Sequence, residues 1–104
     1  METLTDYIKL KELIQKEEYN ECCKILEESI IKYIVQLIKK KKKDYKYTNL
    51  IDLIDESKFY IEDENKSIAE KLKFFSIEEG DRNKFERLLN LCETYNICLK
   101  EEEE

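Results

Sequence analysis

The sequence contains no histidine, no proline and no tryptophan, and it has a single glycine. Histidine is the general base of Ser-His-Asp and Cys-His sites, so catalytic arrangements of both kinds are excluded. A glycine-rich phosphate-binding loop is excluded as well, because it needs several glycines. Without histidine or a Cys-x-x-Cys pair, a Cys/His zinc site is not expected. The sequence therefore predicts no catalytic residue, no metal site and no cofactor.

The shortage of proline and glycine, together with a charged fraction of 42%, favours helices over strands and turns. For a chain of 104 residues we predict one all-α domain, a bundle of four to five helices over residues 1–100, followed by an acidic tail over residues 101–104. No early basic segment precedes an apolar one, as it would in a signal peptide. The apolar run over residues 30–38 is shorter than the ~20 residues that span a bilayer. We expect a cytoplasmic protein without membrane insertion.

The second predicted helix, over residues 18–43, is the long central helix of this bundle. Its apolar stripe follows helical spacing and consists of Leu26, Ile30, Tyr33 and Leu37. The flanking angles are filled by Ile31, Ile34, Val35 and Ile38. A helix that is apolar over so wide an arc must be covered from several sides.

Local signals place the ends of the earlier helices. A capping pattern over residues 3–6 begins the first helix, and the apolar pattern restarts at Tyr19, which predicts a turn near residues 17–20. Thr48 or Asn49 is expected to cap a third helix. The apolar face of that helix is predicted to be Leu50, Ile51, Leu53 and Ile54.

Two further signals bound the later helices. Residues 67–70 match a capping box that would begin the fourth helix. Gly80, the only glycine, is expected as a left-handed helix C-cap, and Asp81 as the N-cap of the last helix.

The four cysteines are Cys22, Cys23, Cys92 and Cys98. An even number is compatible with two disulfides, but the thiols of a cytosolic, core-forming chain stay reduced. Adjacent cysteines on a helix point about 100° apart, so Cys22 and Cys23 do not easily share one ligand site. We therefore expect all four to be small residues of the core or its boundary.

The net charge of −6 is unevenly distributed. Residues 1–52 hold 11 lysines and 10 acidic residues (+1), whereas residues 53–104 hold 8 basic and 15 acidic residues (−7). This is not the charge of a nucleic-acid coat protein, so a polyanion would have to bind a local patch.

One such patch is the lysine run Lys39, Lys40, Lys41, Lys42 and Lys43. It predicts weak, salt-sensitive binding of RNA or of anionic lipid head groups. The alternative is a solvated helix end, where cations complement the partial negative charge of the helix C-terminus. Tyr45 and Tyr47 follow the run, and they are compatible either with base stacking or with packing of the connection onto the core.

The order of the predicted helices resembles that of HEPN domains, a family of small helical proteins. In both, a short helix precedes a long apolar one, and a polar connection, a short amphipathic helix and a final helical pair follow. Active members carry an arginine and a polar residue at the start of a late helix, with a histidine four to six positions after the arginine. Arg82 and Asn83 match the first half of that motif.

The second half of the motif is missing, because this chain has Arg87 where the histidine would stand. A guanidinium stays protonated and cannot replace the imidazole as a general base. The resemblance thus implies a non-catalytic interaction module, a homodimer or a subunit with a heterologous protein partner. Members of this kind occur in toxin-antitoxin, nucleotidyltransferase-associated and phage-defence systems. In this interpretation Arg82, Asn83 and Arg87 lie at the interface.

Two alternatives remain from the residues alone. The chain could be an unrelated helical adaptor or inhibitor that binds a basic protein partner through an exposed apolar groove and its acidic C-terminal half, with Asp81 or Asn83 simply capping the last helix. The less favoured alternative is a ribonuclease that uses Arg82, Asn83 and Arg87 in an unconventional site, for which the sequence offers no evident base.

Overall fold

The computed structural model describes residues 2–77, 79–95 and 97, with residues 2–8 described by their backbone alone. These residues form five α-helices: α1 (Glu2–Gln15), α2 (Tyr19–Lys39), α3 (Leu50–Tyr60), α4 (Ile68–Ser76) and α5 (Asp81–Thr94). A short 3₁₀ helix, Asp63–Ser67, leads into α4, and this described part contains no strand. The prediction of an all-α bundle is confirmed. Within the residues that the structure describes, no helix is long and apolar enough to cross a membrane.

The long helix α2 is the centre of the bundle, as predicted, and it packs against α1, α3, α4 and α5. Its most deeply buried residues recur at every fourth position: Cys22, Leu26, Ile30, Ile34 and Ile38. Such a row turns by about 40° at each step, so helices on more than one side of α2 are needed to cover it. Tyr33 and Leu37, the other two residues of the predicted stripe, are only partly buried.

The turn between α1 and α2 lies at the predicted place. Glu17 adopts a left-handed conformation (φ 59°), and the N–H groups of Glu17 and Glu18 donate to the carbonyls of Ile14 and Leu13. These bonds satisfy backbone carbonyls at the end of α1 and reverse the chain. The structure does not describe the side chains of residues 3–6, so the predicted capping pattern there lies outside the described part.

Both predicted helix starts in the middle of the chain are confirmed, but only the first has the predicted side-chain cap. Asn49 Oδ1 accepts a hydrogen bond from the Asp52 N–H at 2.9 Å and caps α3. The capping box over residues 67–70 is wrong, because Ser67 Oγ donates to the Glu64 carbonyl at 3.0 Å and makes no cap bond. The reason is the 3₁₀ helix, which already leads directly into α4 and turns the Ser67 side chain back onto it.

Gly80 has the predicted left-handed backbone (φ +88°), but it occupies a different place. Helix α4 ends at Ser76, and Gly80 is instead the N-cap of α5, where its carbonyl accepts the Lys84 N–H at 3.0 Å. Asp81, predicted as that N-cap, is consequently the first residue inside the helix.

The prediction for the cysteines is confirmed for three of them. Cys22, Cys23 and Cys92 are buried free thiols within the core. Cys98 and the acidic tail over residues 101–104 lie outside the described residues. The core also includes Leu53 of α3, Leu72 of α4 and Leu88 of α5, which are fully buried.

Candidate functional site

Arg82 lies on the surface at the start of α5, the place that the sequence predicted. Its Nε is 3.3 Å from Glu86 Oε2, and its guanidinium lies over the Tyr19 ring, 5.7 Å from the centroid. The side chain is 72% exposed. An exposed ion pair of this kind contributes little to stability, typically below about 1 kcal/mol. The partners of Arg82 are therefore those of a surface arginine packed locally, and none of them is a neutral general base.

The outer side of α5 carries the rest of the predicted motif. Its exposed residues are all polar or charged: Asp81, Arg82, Asn83, Glu86, Arg87, Asn90, Glu93 and Thr94. Arg82, Asn83 and Arg87 thus share one hydrophilic helix surface. Contact with a second copy there would be made by charged and polar groups.

The lysine run lies at the other end of α2 from Arg82. Arg82 stacks on Tyr19, the first residue of α2, whereas the run begins at Lys39, the last. A helix of 21 residues is roughly 30 Å long, so the two predicted sites do not form one surface.

Two of the five lysines are paired with acidic residues. Lys42 Nζ is 3.7 Å from a Glu56 carboxylate oxygen and lies over the rings of Tyr45 and Tyr60, and Lys41 pairs with Glu62 at 3.5 Å. The remaining three, Lys39, Lys40 and Lys43, are exposed. Acidic residues of α3 and of the chain after it thus offset part of the charge that the sequence presents as one block.

Tyr45 packs onto the core, which decides between the two alternatives left open for it. The side chain is 3% exposed, and its hydroxyl donates to Asp52 Oδ2 at 3.0 Å. Burial, followed by the hydrogen bond to the Asp52 carboxylate, raises the pKa of Tyr45. This ring is not available for base stacking.

The buried thiols are poor nucleophiles. Burial raises the pKa of Cys23 to about 11 and that of Cys92 to about 12. Both thiols are therefore protonated at neutral pH, and the thiolate is the reactive form of cysteine. No group of three or more Cys, Asp or Glu side chains among the described residues is arranged to hold a metal ion.

The sequence leaves open where an exposed apolar groove would lie, and the structure has exposed apolar side chains on α3, on α4 and just after α4. Ile51 is 63% exposed, Phe74 63% and Ile77 72%, and Ile54 beside them is only partly buried. Ile51 and Ile54 are three residues apart and share one side of α3, whereas Ile77 is the first residue after α4, three positions beyond Phe74. We call these four residues the α3–α4 apolar surface. The prediction that Ile51 belongs to the core-facing side of α3 is wrong, because Leu53 is the fully buried residue there.

A groove of about 520 Å³ is lined by three of these four residues, Ile54, Phe74 and Ile77. Its lining consists of Ile54, Glu70, Lys71, Lys73, Phe74 and Ile77. One local signal pointed to it: Phe74 and Phe75 are adjacent and therefore point about 100° apart, so one helix side cannot bury both rings.

The charges of the groove are not balanced. The Glu70 carboxylate is engaged by Lys58 of α3 at 3.3 Å. Lys71 Nζ donates to the Tyr95 hydroxyl at 2.6 Å and lies 4.9 Å from the centroid of that ring, so its charge is held by a neutral partner. Lys73 is exposed at the groove. The result is an apolar groove bordered by two lysines.

Comparison with known protein families, with curated proteins and with solved structures gives no match to this chain. The observations that bear on function are therefore those of the molecule itself. They are a hydrophilic α5 surface around Arg82, a partly neutralised lysine run, and an apolar groove on α3 and α4.

Proposed function

We propose that this protein is a non-catalytic helical interaction module that binds a protein partner through the α3–α4 apolar surface. The observation that carries the proposal is the exposure of Phe74 and Ile77 along a groove that Ile54 also lines, with Ile51 exposed three positions before Ile54 on α3. Contiguous exposed apolar side chains rimmed by polar residues mark interaction sites in soluble proteins. Removing these side chains from water supplies the main driving force for binding.

The dimensions of the surface suit a helix in the groove. Helix α3 has 11 residues and α4 has nine, which correspond to about 16 Å and 13 Å. A partner helix of about three turns covers that length with apolar anchors at the spacing i, i+4 and i+7.

A photo-cross-linking amino acid at position 77 tests the proposal in cells of the source organism. We expect one predominant protein adduct, which disappears when Phe74→Gln is introduced together with the cross-linker. The matched control is the same amino acid at position 90, on the exposed, polar side of α5. Equal adducts from positions 77 and 90, or none from position 77, would contradict the proposal.

A relationship to HEPN domains is a second proposal for the same class of function. It is supported by the order and lengths of the helices and by the place of Arg82 and Asn83 at the start of α5. A HEPN-like module would form a dimer that brings the two Arg82 side chains close together. Light scattering over a range of concentrations tests it: a dimer that Arg82→Glu dissociates would support the relationship, and a monomer at high concentration would count against it.

A further inference from the structure

The occupant of the groove is constrained by charge as well as by apolar contact. With Glu70 paired to Lys58, the groove presents Lys71 and Lys73 to whatever binds there. Both lysines line the groove together with Ile54, Phe74 and Ile77, and an ion pair formed beside apolar side chains is less screened than one in open solvent.

We infer that the groove binds an amphipathic helix with acidic residues flanking its apolar side. The inference rests on the proposed function and names the partner for the same surface. Aspartate or glutamate beside the apolar anchors would pair with Lys71 and Lys73 while the anchors cover Ile54, Phe74 and Ile77. Complementary charge of this kind sets specificity and orientation more than overall affinity.

A second copy of this chain is a poorer occupant. In a symmetric dimer each subunit presents the same patch, so each copy would offer its own Lys71 and Lys73 to the other. Glu70 is the acidic residue of the groove lining, and it is already engaged by Lys58.

The net charge of the whole protein favours the opposite kind of peptide. The whole chain carries −6, so non-specific electrostatics would repel an acidic peptide and attract a basic one. A preference for the acidic peptide must therefore come from the local charges of the groove.

The test uses two synthetic fluorescein-labelled 14-residue helical peptides with leucine at four positions of one side. The flanking positions carry glutamate in one peptide and lysine in the other, and the rest of the sequence is identical. In fluorescence anisotropy at low salt, we expect the glutamate peptide to bind about tenfold more tightly than the lysine peptide. The difference should shrink strongly near 1 M NaCl, where the screening length is about 3 Å.

Charge-reversal variants locate the effect. Lys71→Glu/Lys73→Glu should reverse the order of the two peptides. Lys9→Glu/Lys16→Glu makes the same change of charge on and just after α1, which packs on α2, and should keep the order. If the groove variant loses helicity by circular dichroism, Lys71→Gln/Lys73→Gln serves instead and should make the two affinities equal.

The possible outcomes separate this inference from the proposed function. Equal binding of both peptides, abolished by Phe74→Gln, would overturn the acidic partner and leave the groove as a protein-binding site. Tighter binding of the lysine peptide, or binding of neither, would overturn the inference, and the cross-link at position 77 then decides the proposed function alone. Stronger binding to vesicles of phosphatidylserine and phosphatidylcholine than to the glutamate peptide would assign the groove to a membrane surface and overturn it too.

Discussion

The apolar row along α2 and the α3–α4 apolar surface have similar side chains but opposite surroundings. Ile30 and Ile34 are fully buried because four helices pack around α2. Ile51 and Phe74 are more than half exposed, since their sides of α3 and α4 point away from that centre. An apolar helix side is stable only when other atoms cover it. The arrangement of the neighbouring helices decides whether those atoms belong to the same chain. The uncovered side is then the place to look for a partner.

The largest difference in stability between the two regions is expected for a pair of alanine substitutions. Ile34→Ala should lower the free energy of unfolding by about 2–5 kcal/mol, because it removes buried methyl groups and leaves a cavity. Phe74→Ala should change it by less than about 0.5 kcal/mol, since the ring is mainly in water. Urea denaturation followed by circular dichroism measures both. Similar losses for the two variants would mean that the two regions do not differ in the way described.

A smaller effect on stability is expected at Tyr45, which lies buried in the connection between α2 and α3. Tyr45→Phe removes the hydrogen bond to Asp52 and should destabilise the protein by about 1 kcal/mol. Because the pKa of Tyr45 is raised in the folded state, its contribution to stability is complete below the ordinary tyrosine value of 10.0 and is lost as the pH rises above it. The wild type should therefore lose more stability than Tyr45→Phe between pH 9 and pH 11. Parallel pH profiles of the two proteins would contradict this.

Part of the fold follows from the sequence, because the sequence signals for turns and helix caps are local. The turn at Glu17 and the cap at Asn49 depend on residues within a few positions, and both were predicted correctly. The capping box at residues 67–70 failed because the preceding 3₁₀ helix determines what Ser67 contacts. The pairing of Lys42 with Glu56 and Tyr60 joins a helix end to the next helix, which spacing along the chain does not reveal.

In the candidate site, too, local features follow from the sequence and the packing between helices does not. The start of the last helix at Arg82 follows from the sequence, and its exposure follows from the hydrophilic pattern around it. The groove depends on which sides of α3 and α4 turn away from α2, and periodicity does not distinguish an apolar side that meets the core from one that meets a partner. Ile51 illustrates the limit, since its neighbours Leu50 and Asp52 are both partly buried and it is nevertheless exposed.

The buried side of α3 also contains a polar side chain. Ser57 is fully buried on α3, and its hydroxyl has no hydrogen-bond partner among the described residues. A buried hydroxyl without a partner costs free energy, so Ser57→Ala should raise the free energy of unfolding by up to about 1 kcal/mol. Ser76→Ala is a suitable control, because Ser76 Oγ is hydrogen-bonded to Glu27 and to the Leu72 carbonyl. Stabilisation by both substitutions would point to helix propensity as the cause.

A small effect is also expected at Arg82, in the exposed region whose side chains are polar. Arg82→Ala removes one surface ion pair and a contact with the Tyr19 ring, and we expect a loss of less than about 1 kcal/mol in stability. The same variant examines the least favoured function, because a ribonuclease that depends on Arg82 would lose cleavage of single-stranded RNA while remaining folded. We expect the wild type to show no cleavage above a buffer control, so that the substitution changes nothing. Cleavage by the wild type that Arg82→Ala abolishes would overturn the non-catalytic assignment, and it would move the functional surface from the groove of α3 and α4 to the start of α5.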